Sequence, residues 1–217
     1  MVANKNPGLR GQQQKARRQA ILTAAKSLFS VDGFETTTVQ SIADRAMVSA
    51  PTVYTYFGSK SAIVMAIIIE ADADLISKAD ALVNRSDGKP LEDMKSLLSL
   101  MVSESLKTMD VLTWRHVFAM SVLTPDNEVG KGYKVQNAHL YNTCEELLAK
   151  CIAAGTLPDT IDVKLRRGAC QYLNQALFGQ LLSGDIKTFE GYVVMLQKYL
   201  KLILHEAAET PGLPRVL

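Results

Sequence analysis

Cysteine is scarce in this chain of 217 residues. The three cysteines, Cys144, Cys151 and Cys170, are an odd number without dense spacing, which excludes a disulfide framework and predicts a reducing compartment. Cys144 and Cys151 are seven residues apart and would share one helix face. We interpret them as small core residues in preference to a metal pair.

Long apolar runs and alternating strand patterns are also missing. No run approaches the roughly 18–20 apolar residues that a membrane-spanning helix needs, so we expect no membrane partner. No period-two pattern is bounded by hairpin turns, and no internal repeat is present. The sequence therefore predicts an all-α fold of about nine helices.

The sequence lacks the residue combinations that carry common catalytic chemistry. His116, His139 and His205 lie far apart, and neither an HExxH nor a CxxC motif occurs. The GKGYK segment at 130–134 follows no strand and lacks the Walker spacing, so it is not a phosphate loop. We expect no enzymatic activity, no metal site and no cofactor.

Acidic residues are rare at the N-terminus. Residues 1–60 contain eight Lys and Arg against three Asp and Glu, a net charge of +5, whereas the rest of the chain carries sixteen bases and nineteen acids, a net charge of −3. A basic segment on a mildly acidic body predicts an anionic partner at one end, with nucleic acid first. A transit peptide is the alternative, and it is disfavoured because its helix would continue into the motif described below.

Periodicity and breaks divide the chain into three parts. Residues 1–15 are polar with Pro and Gly and are expected to form a flexible basic arm; Arg10 there is expected to be idle in preference to reaching a minor groove. Residues 16–62 are expected to form a DNA-binding domain, and residues 63–217 an effector-binding and dimerisation domain. Later helices are predicted at about 59–83, 91–109, 112–123, 134–154, 160–183 and 187–208.

Three short helices within residues 16–57 have the form of a helix-turn-helix with a supporting first helix. Asp32-Gly33 ends the first helix, Thr37 and Gln40 have capping-box spacing for the second, and Ser49 is the expected cap of the third. The short helices are expected to pack a shared set of apolar residues against the first helix: Ile42, Ala43, Val48, Val53 and Phe57 against Ile21, Leu28 and Phe29. The outward face of the third helix is then small, hydroxyl-rich and aromatic, which suits a major groove.

The run GFETTTVQSIADRAMVSAPTVYTYFGSKSAI at 33–63 resembles the DNA-binding segment of the TetR family of bacterial regulators. The matches have fixed spacing and extend from Gly33 and Phe34 through Ile42, Ala43 and the TVYTYF segment to Lys60. The resemblance covers about a quarter of the chain. In the remainder, the length, the helical pattern and the GTLPDTID connector at 155–162 are consistent with the family.

The resemblance implies a role for each residue of this segment. Phosphate contacts are expected from Thr38, Ser49, Thr52, Tyr56 and Lys60, and base contacts from Gln40, Ala50, Pro51, Tyr54 and Thr55. Thr38 is equally suited to capping the second helix, and the two roles are compatible.

Two residues depart from the family pattern. Met47 replaces the usual glycine in the turn, so the turn must accommodate a Cβ, which bears on the pose of the recognition helix. Ser61 replaces a common glutamate, and this change concerns only the start of the fourth helix.

The resemblance also implies a homodimer that forms through the last two helices and a pocket for a small-molecule effector. The helix FEGYVVMLQKYLKLIL is apolar around most of its circumference, which suits a helix covered on two sides. Pocket candidates are aromatic or polar-tipped residues in apolar stretches: Trp114, His116, Phe118, Met120, Asn137, Tyr141, Tyr172 and Gln175. For each of them, ordinary core or surface packing remains open.

The sequence is therefore interpreted as that of a dimeric, ligand-responsive repressor that binds a palindromic operator in double-stranded DNA. Its expected location is the bacterial cytoplasm, with association to the nucleoid when it is bound. Two alternatives stay open: a transcriptional activator or architectural DNA-binding protein, and a ligand-binding module without a DNA role. The effector, the operator and the regulated genes are not specified by the sequence.

Overall fold

The computed structural model describes residues 8–204, apart from the side chains of Glu128, Gln136 and His139. All regular structure in this part of the chain is helical, and the nine helices confirm the predicted fold class. No helix within residues 8–204 is long and apolar enough to cross a membrane. In chain order the helices are α1 Leu9–Asp32, α2 Val39–Arg45, α3 Ala50–Phe57, α4 Lys60–Asn84, α5 Pro90–Thr108, α6 Val111–Leu123, α7 Glu128–Ala153, α8 Val163–Ser183 and α9 Phe189–Leu204.

Helix α1 begins at Leu9, earlier than the predicted start at Ala16. Residues 9–15, which were expected to belong to a flexible arm, are therefore helical. The composition explains the difference, because Gln, Lys and Arg are good helix formers even where no apolar stripe marks the helix. Residues 1–7 of the expected arm and the predicted end of the last helix at 208 lie outside the described residues.

Helix α7 begins at Glu128, whereas the sequence predicted a start at 134. Gly130 and Gly132 lie in the first turns of α7, where the structure uses them for close packing. A Cβ on Gly130 would lie 2.7 Å from the Thr124 carbonyl oxygen, and one on Gly132 would lie 2.6 Å from Met65 Cε. Asn127 Oδ1 accepts a hydrogen bond from the Gly130 amide at 2.7 Å and caps this first turn.

The helices divide between two compact units. The first contains residues up to Ser77 together with Val102–His139, so it holds α1–α3, most of α4, α6 and the start of α7. Within it α1 packs on α2 and α2 on α3. Of the apolar residues predicted to hold these helices together, Ile21, Leu28, Phe29, Ile42, Ala43 and Val53 are buried, while Val48 and Phe57 are half-buried.

A capping box starts α2 one residue later than the sequence suggested. Thr38 is the N-cap: its hydroxyl accepts a hydrogen bond from the Ser41 amide at 3.0 Å, and Ser41 Oγ accepts one from the Thr38 amide at 3.1 Å. Thr37, the predicted cap, is buried instead and donates its hydroxyl hydrogen to the Gly33 carbonyl at 2.8 Å. Since capping by Ser or Thr contributes about 1 kcal/mol, this exchange supports a helix of only seven residues.

Among the described residues, the second unit contains Lys78–Met101 and residues 140–204. Helices α8 and α9 pack on each other within it. Helix α9 buries one face, formed by Tyr192, Leu196, Leu200 and Leu204 at four-residue spacing. Asp162 starts α8, accepting a hydrogen bond from the Leu165 amide at 3.0 Å, and Gly184 ends it in the left-handed conformation.

Candidate functional site

Helix α3 exposes a polar and aromatic face. Tyr54 and Thr55 lie three and four residues after Pro51, and all three are exposed, with 54% of Tyr54 accessible to solvent. Val53 is the buried residue that holds the helix from the opposite side. Pro51 lies in the first turn, where its missing N–H would have no intrahelical acceptor. DNA bound at α3 would therefore contact the ring of Tyr54, the hydroxyl of Thr55 and the methylene groups of Pro51.

The hydroxyl groups of α3 and its N-cap already form hydrogen bonds within the protein. Ser49 occupies the N-cap position, but its side chain pairs with Thr52 Oγ1 at 2.8 Å and makes no capping hydrogen bond, contrary to the prediction. Thr55 Oγ1 donates to the Pro51 carbonyl at 2.8 Å. A hydroxyl that donates within the helix keeps acceptor capacity, whereas a phosphate needs a donor. In the Ser49–Thr52 pair only one hydroxyl donates to the other, so the accepting hydroxyl keeps its own hydrogen for a phosphate oxygen.

The turn between α2 and α3 contains a strained residue. Met47 has φ of 54°, and it is the one residue other than glycine with positive φ within residues 8–204. Its side chain is 92% exposed, so no buried contact offsets the strain. The turn is closed by hydrogen bonds from the Met47 amide to Asp44 O at 3.2 Å and from the Val48 amide to Ala43 O at 3.0 Å. This geometry explains why glycine is usual at this position in the family pattern.

Lys60 organises the loop between α1 and α2. Its ammonium group donates to the carbonyl oxygens of Phe34 at 2.6 Å, Glu35 at 3.2 Å and Thr37 at 2.8 Å, and it lies 4.2 Å from the centre of the Phe34 ring. Desolvation lowers the pKa of Lys60, while the negative charge of Glu35 acts in the opposite direction. An ammonium group has three donors, and all three point to this loop. Phosphate binding by Lys60 stays a prediction that competes with these contacts.

His116 of α6 lies against the same loop, on Phe34. The two rings are stacked with centroids 3.9 Å apart, and His116 Nδ1 lies 2.9 Å from Glu35 Oε1. The α1–α2 loop is therefore contacted by the first residue of α4 and by α6. This arrangement fixes the residues immediately before Thr38, the N-cap of α2.

The ten predicted DNA contacts all lie on or next to α2 and α3. Six are exposed and four are half-buried. The exposed ones are Thr38, Gln40, Ser49, Pro51, Tyr54 and Thr55; the half-buried ones are Ala50, Thr52, Tyr56 and Lys60. Gln40 is held by Asp44, to which its amide donates at 2.7 Å. The structure brings this set together on one surface segment of the first unit, and DNA contact by each residue stays a prediction.

Five of the predicted effector residues belong to the first unit. Trp114 is buried, and its indole N–H donates to the Ser105 carbonyl at 2.7 Å. Trp114 also lines a small cavity of about 210 Å³ with Ile68, Asp72 and Leu75. His116 is turned to the α1–α2 loop. The remaining three, Phe118, Met120 and Asn137, are half-buried, and Asn137 hydrogen-bonds the hydroxyl of Tyr133.

The other three predicted effector residues belong to the second unit. Tyr141 is buried, Gln175 is half-buried, and Tyr172 is 73% exposed in this single chain. Tyr141 forms part of a buried network: Asn174 Nδ2 donates to its hydroxyl at 2.8 Å, and the Tyr192 hydroxyl donates to Asn174 Oδ1 at 2.5 Å. Tyr192 also lies 3.3 Å from the Leu98 carbonyl oxygen. Effector contact stays a prediction for all eight residues.

Asn174, which is only 5% exposed and lies at the centre of this network, was not predicted from the sequence. Its signal was present, because an isolated Asn lies on the apolar stripe formed by Cys170 and Leu177 in α8. Glu35 was missed as well, and no local pattern marks it, since its partner His116 is distant in the sequence.

The three cysteines are free thiols in buried positions, as expected for small core residues. Burial raises the pKa of Cys170 to about 12 and that of Cys144 well above its usual range. Because the thiolate is the reactive form, neither is suited to nucleophilic or redox chemistry in the folded protein.

The chain is similar to known regulators in sequence and in fold. Residues 21–67 match the family described as "Bacterial regulatory proteins, tetR family". The transcriptional repressor KstR of Rhodococcus jostii is 33% identical over 124 residues, which cover 54% of this chain and 56% of that protein. The chain thus spans little more than half the length of this relative. The fatty acid metabolism regulator protein of Bacillus subtilis is 25% identical over 198 residues, which cover 86% and 89% of the two chains.

Solved structures show the same fold. The regulator FadR from Bacillus subtilis, in complex with stearoyl-CoA, has a TM-score of 0.64 at 18% identity and covers 86% of this chain and 97% of its own. FadR from Bacillus halodurans has a TM-score of 0.66 at 18% identity, with coverage of 89% and 97%. The matched residues 21–67 contain the helix-turn-helix whose exposed face is described above. Residues 21–67 thus identify a helix-turn-helix segment of the TetR family of bacterial regulatory proteins within this chain.

Proposed function

We propose that this protein is a dimeric repressor that reads a palindromic operator with α3 and is released from it by a small molecule. The observation that carries the proposal is the exposed face of α3, with Pro51, Tyr54 and Thr55 on a helix anchored by buried Val53. Side chains of this kind suit the major groove, where methyl and ring contacts and hydroxyl hydrogen bonds distinguish base edges.

Phosphate contacts beside this face would fix the register of α3 on the duplex. Thr38 and Ser49 are exposed at the starts of α2 and α3, and Tyr56 is half-buried near the end of α3. Together they place hydroxyls at several points around the base-reading face. This distribution favours a role in positioning, whereas Pro51, Tyr54 and Thr55 carry the specificity.

A dimer through α8 and α9 is supported by a second apolar face on each helix. On α9 this face comprises half-buried Met195 and the exposed residues Tyr199 and Leu202, the latter 76% exposed. On α8 the exposed residues Leu165 and Tyr172 are seven positions apart and share a face. Exposed apolar surface on neighbouring helices is typical of a protein interface. Two copies joined there would present two α3 helices to the two halves of a palindrome.

The first effector class to test is a long-chain acyl-CoA. FadR from Bacillus subtilis is in complex with stearoyl-CoA and FadR from Thermus thermophilus with lauroyl-CoA, and both share this fold at TM-scores of 0.64 and 0.63. An effector would release DNA only through its different affinities for the DNA-bound and free states. Acyl-CoA added to a preformed protein–operator complex is expected to release the DNA, while free coenzyme A is not.

Selection of bound sequences from a random duplex pool is the test of the main proposal. The expected result is one enriched palindrome with half-sites about one helical turn apart. Tyr54→Ala should weaken binding to that palindrome by about 1–3 kcal/mol relative to a scrambled duplex. Leu112→Ala, which trims a residue that is 60% exposed at the start of α6, is the control and should leave affinity unchanged. Equal affinity of the wild-type protein for the palindrome and for its scrambled version would contradict the proposal.

A further inference from the structure

The first twelve residues of α1, Leu9–Ala20, form a helical segment without a buried side chain. The buried residues of α1 begin at Ile21 and continue to Phe29. In the first part of the helix Gly11 and Arg18 are half-buried and the others are exposed. At 1.5 Å per residue this segment is roughly 18 Å long. We name residues 9–20 the α1 extension.

The charge of the α1 extension has one sign. It contains Arg10, Lys15, Arg17 and Arg18, and the first acidic residue of the chain is Asp32. Three of these bases are exposed, while Arg18 is held in the first unit by its ion pair with Glu70 and by the Phe57 ring, 5.4 Å from its guanidinium carbon. A helical segment with four basic residues, no acidic residue and no buried side chain is complementary to a polyanion.

The register of α1 places two of these bases on one face. Counting back from Ile21 in steps of four and three residues gives Arg17, Gln14 and Arg10. These positions continue the stripe that, further along the helix, contains buried Ile21, Ala25 and Leu28. Arg10 and Arg17 therefore lie on the side of α1 that carries the helix-turn-helix core, beyond the end of that core.

Contacts within the first unit place the α1 extension beside α3. Ala16 and Gln19 line an open depression together with Met47, in the turn that precedes α3. Arg18 lies against Phe57 at the other end of α3. Residues 9–15 continue the same helix N-terminal to these two contacts. DNA bound to α3 would have its backbone within reach of this segment.

We propose that the α1 extension is an additional nucleic-acid surface, which contacts the sugar–phosphate backbone beside the α3 site through Arg10 and Arg17. The proposal rests on the proposed function, because it requires DNA on α3. Guanidinium groups suit phosphate oxygens through paired N–H donors, and Gln13 and Gln14 add further donors next to them. The contact adds affinity without reading sequence.

The salt dependence of DNA binding tests the proposal. A 30-base-pair duplex of mixed sequence is titrated with the full-length protein at several salt concentrations. In the double variant Arg10→Gln and Arg17→Gln, the slope of log K against log salt should fall by roughly 0.9 for each phosphate that the protein no longer neutralises. Glutamine is a good helix former, and circular dichroism checks that helix content is kept.

Two further variants serve as controls. Lys164→Gln with Lys187→Gln removes two exposed charges from the second unit and should leave the slope at the wild-type value. Arg10→Lys with Arg17→Lys keeps both charges and should also keep the slope. An unchanged slope in the glutamine variant, or an equal fall in the Lys164 and Lys187 control, overturns the α1 surface. Wild-type protein that binds no duplex at any salt concentration overturns the proposed function itself, so the two failures are distinguishable.

Discussion

Helices α3 and α9 both expose large side chains, but the chemistry of their exposed faces differs. On α3 the exposed face consists of Pro51, Tyr54 and Thr55, in which the ring and the methylenes are accompanied by hydroxyls. On α9 the proposed dimer face includes exposed Leu202 and half-buried Met195, whose side chains carry no hydroxyl or amide group. The first surface suits a hydrated polyanion and the second an apolar partner. Exposure alone therefore does not tell these two kinds of interface apart.

The two helices also differ in how they are stabilised. Helix α3 has eight residues and a single buried one, Val53, so it depends on packing against α2. Helix α9 has sixteen residues and buries four side chains along one face. Substitutions on the exposed face of α3 should therefore change binding, whereas substitutions in the interior next to α9 should change folding.

The largest expected effect comes from placing a charge in the proposed dimer face. Leu202→Glu should favour monomers by about 3–5 kcal/mol, because a carboxylate would be buried without a partner, and this corresponds to a dissociation constant raised more than a hundredfold. Sedimentation equilibrium measures the change. Val194→Glu is the matched control on the same helix: Val194 is 53% exposed but belongs to another face, so the dimer should persist. A dimeric Leu202→Glu protein would place the interface elsewhere.

The second largest effect concerns the buried network around Asn174 and should change folding rather than binding. Asn174→Ala should lower the free energy of unfolding by about 2–4 kcal/mol, because two buried hydrogen bonds, one to the hydroxyl of Tyr141 and one from that of Tyr192, are lost together. Urea denaturation measures it. Tyr192→Phe removes one hydroxyl and should cost less.

The neighbouring residue of α8 provides the control for this network. Gln175 is half-buried, and Gln175→Ala should stay within about 0.5 kcal/mol of the wild type. A cost for Asn174→Ala no greater than that for Gln175→Ala would show that the network contributes nothing to stability.

The sequence predicted the helices of this protein better than its contacts. Helix-turn-helix residues such as Val53 and Tyr54 could be assigned to the inside and the outside, because the spacing of a short helix fixes both faces. The α1 extension was missed because a helix without an apolar stripe has no periodic signal. The start of α7 was missed because Gly130 and Gly132 meet Pro125 and Met65 only in three dimensions.

Polar contacts between distant segments were the least predictable. The carbonyl oxygens that Lys60 binds lie more than twenty residues earlier, and they become a site only when the α1–α2 loop curls around the ammonium. Likewise the stacking of the His116 ring on Phe34 could not be predicted from the place of His116 in an apolar stretch, and its effector contact stays a prediction. Effector residues in general have no fixed spacing, since they must fit a ligand that the sequence does not name.

Lys60 tests whether a basic residue beside α3 serves DNA or the fold. Lys60→Met keeps the aliphatic stem and removes the hydrogen bonds to the carbonyls of Phe34, Glu35 and Thr37, so unfolding should become easier by about 2 kcal/mol. Chemical denaturation and the salt slope of DNA binding are measured on the same variant. A slope lowered by roughly 0.9 with unchanged stability would instead assign Lys60 to phosphate binding.

The smallest effect concerns Met47, in the turn that sets the pose of α3. Because φ of Met47 is 54° and its side chain is 92% exposed, Met47→Gly removes strain without removing a buried contact. The free energy of unfolding should rise by about 0.5–1 kcal/mol, since the relief of a left-handed residue, about 1–2 kcal/mol, is partly offset by the greater freedom of glycine in the unfolded chain. Urea denaturation at constant salt measures the change.

Met47→Ala separates backbone strain from side-chain effects. Alanine keeps the Cβ that is unfavourable at this φ, so it should not stabilise the protein. If alanine and glycine stabilise equally, the exposed methionine side chain is the cause and not the backbone. Operator affinity of the Met47→Gly variant is measured as well. An unchanged affinity would show that the strain is confined to the turn. A changed affinity would show that the strain helps to orient α3 on DNA.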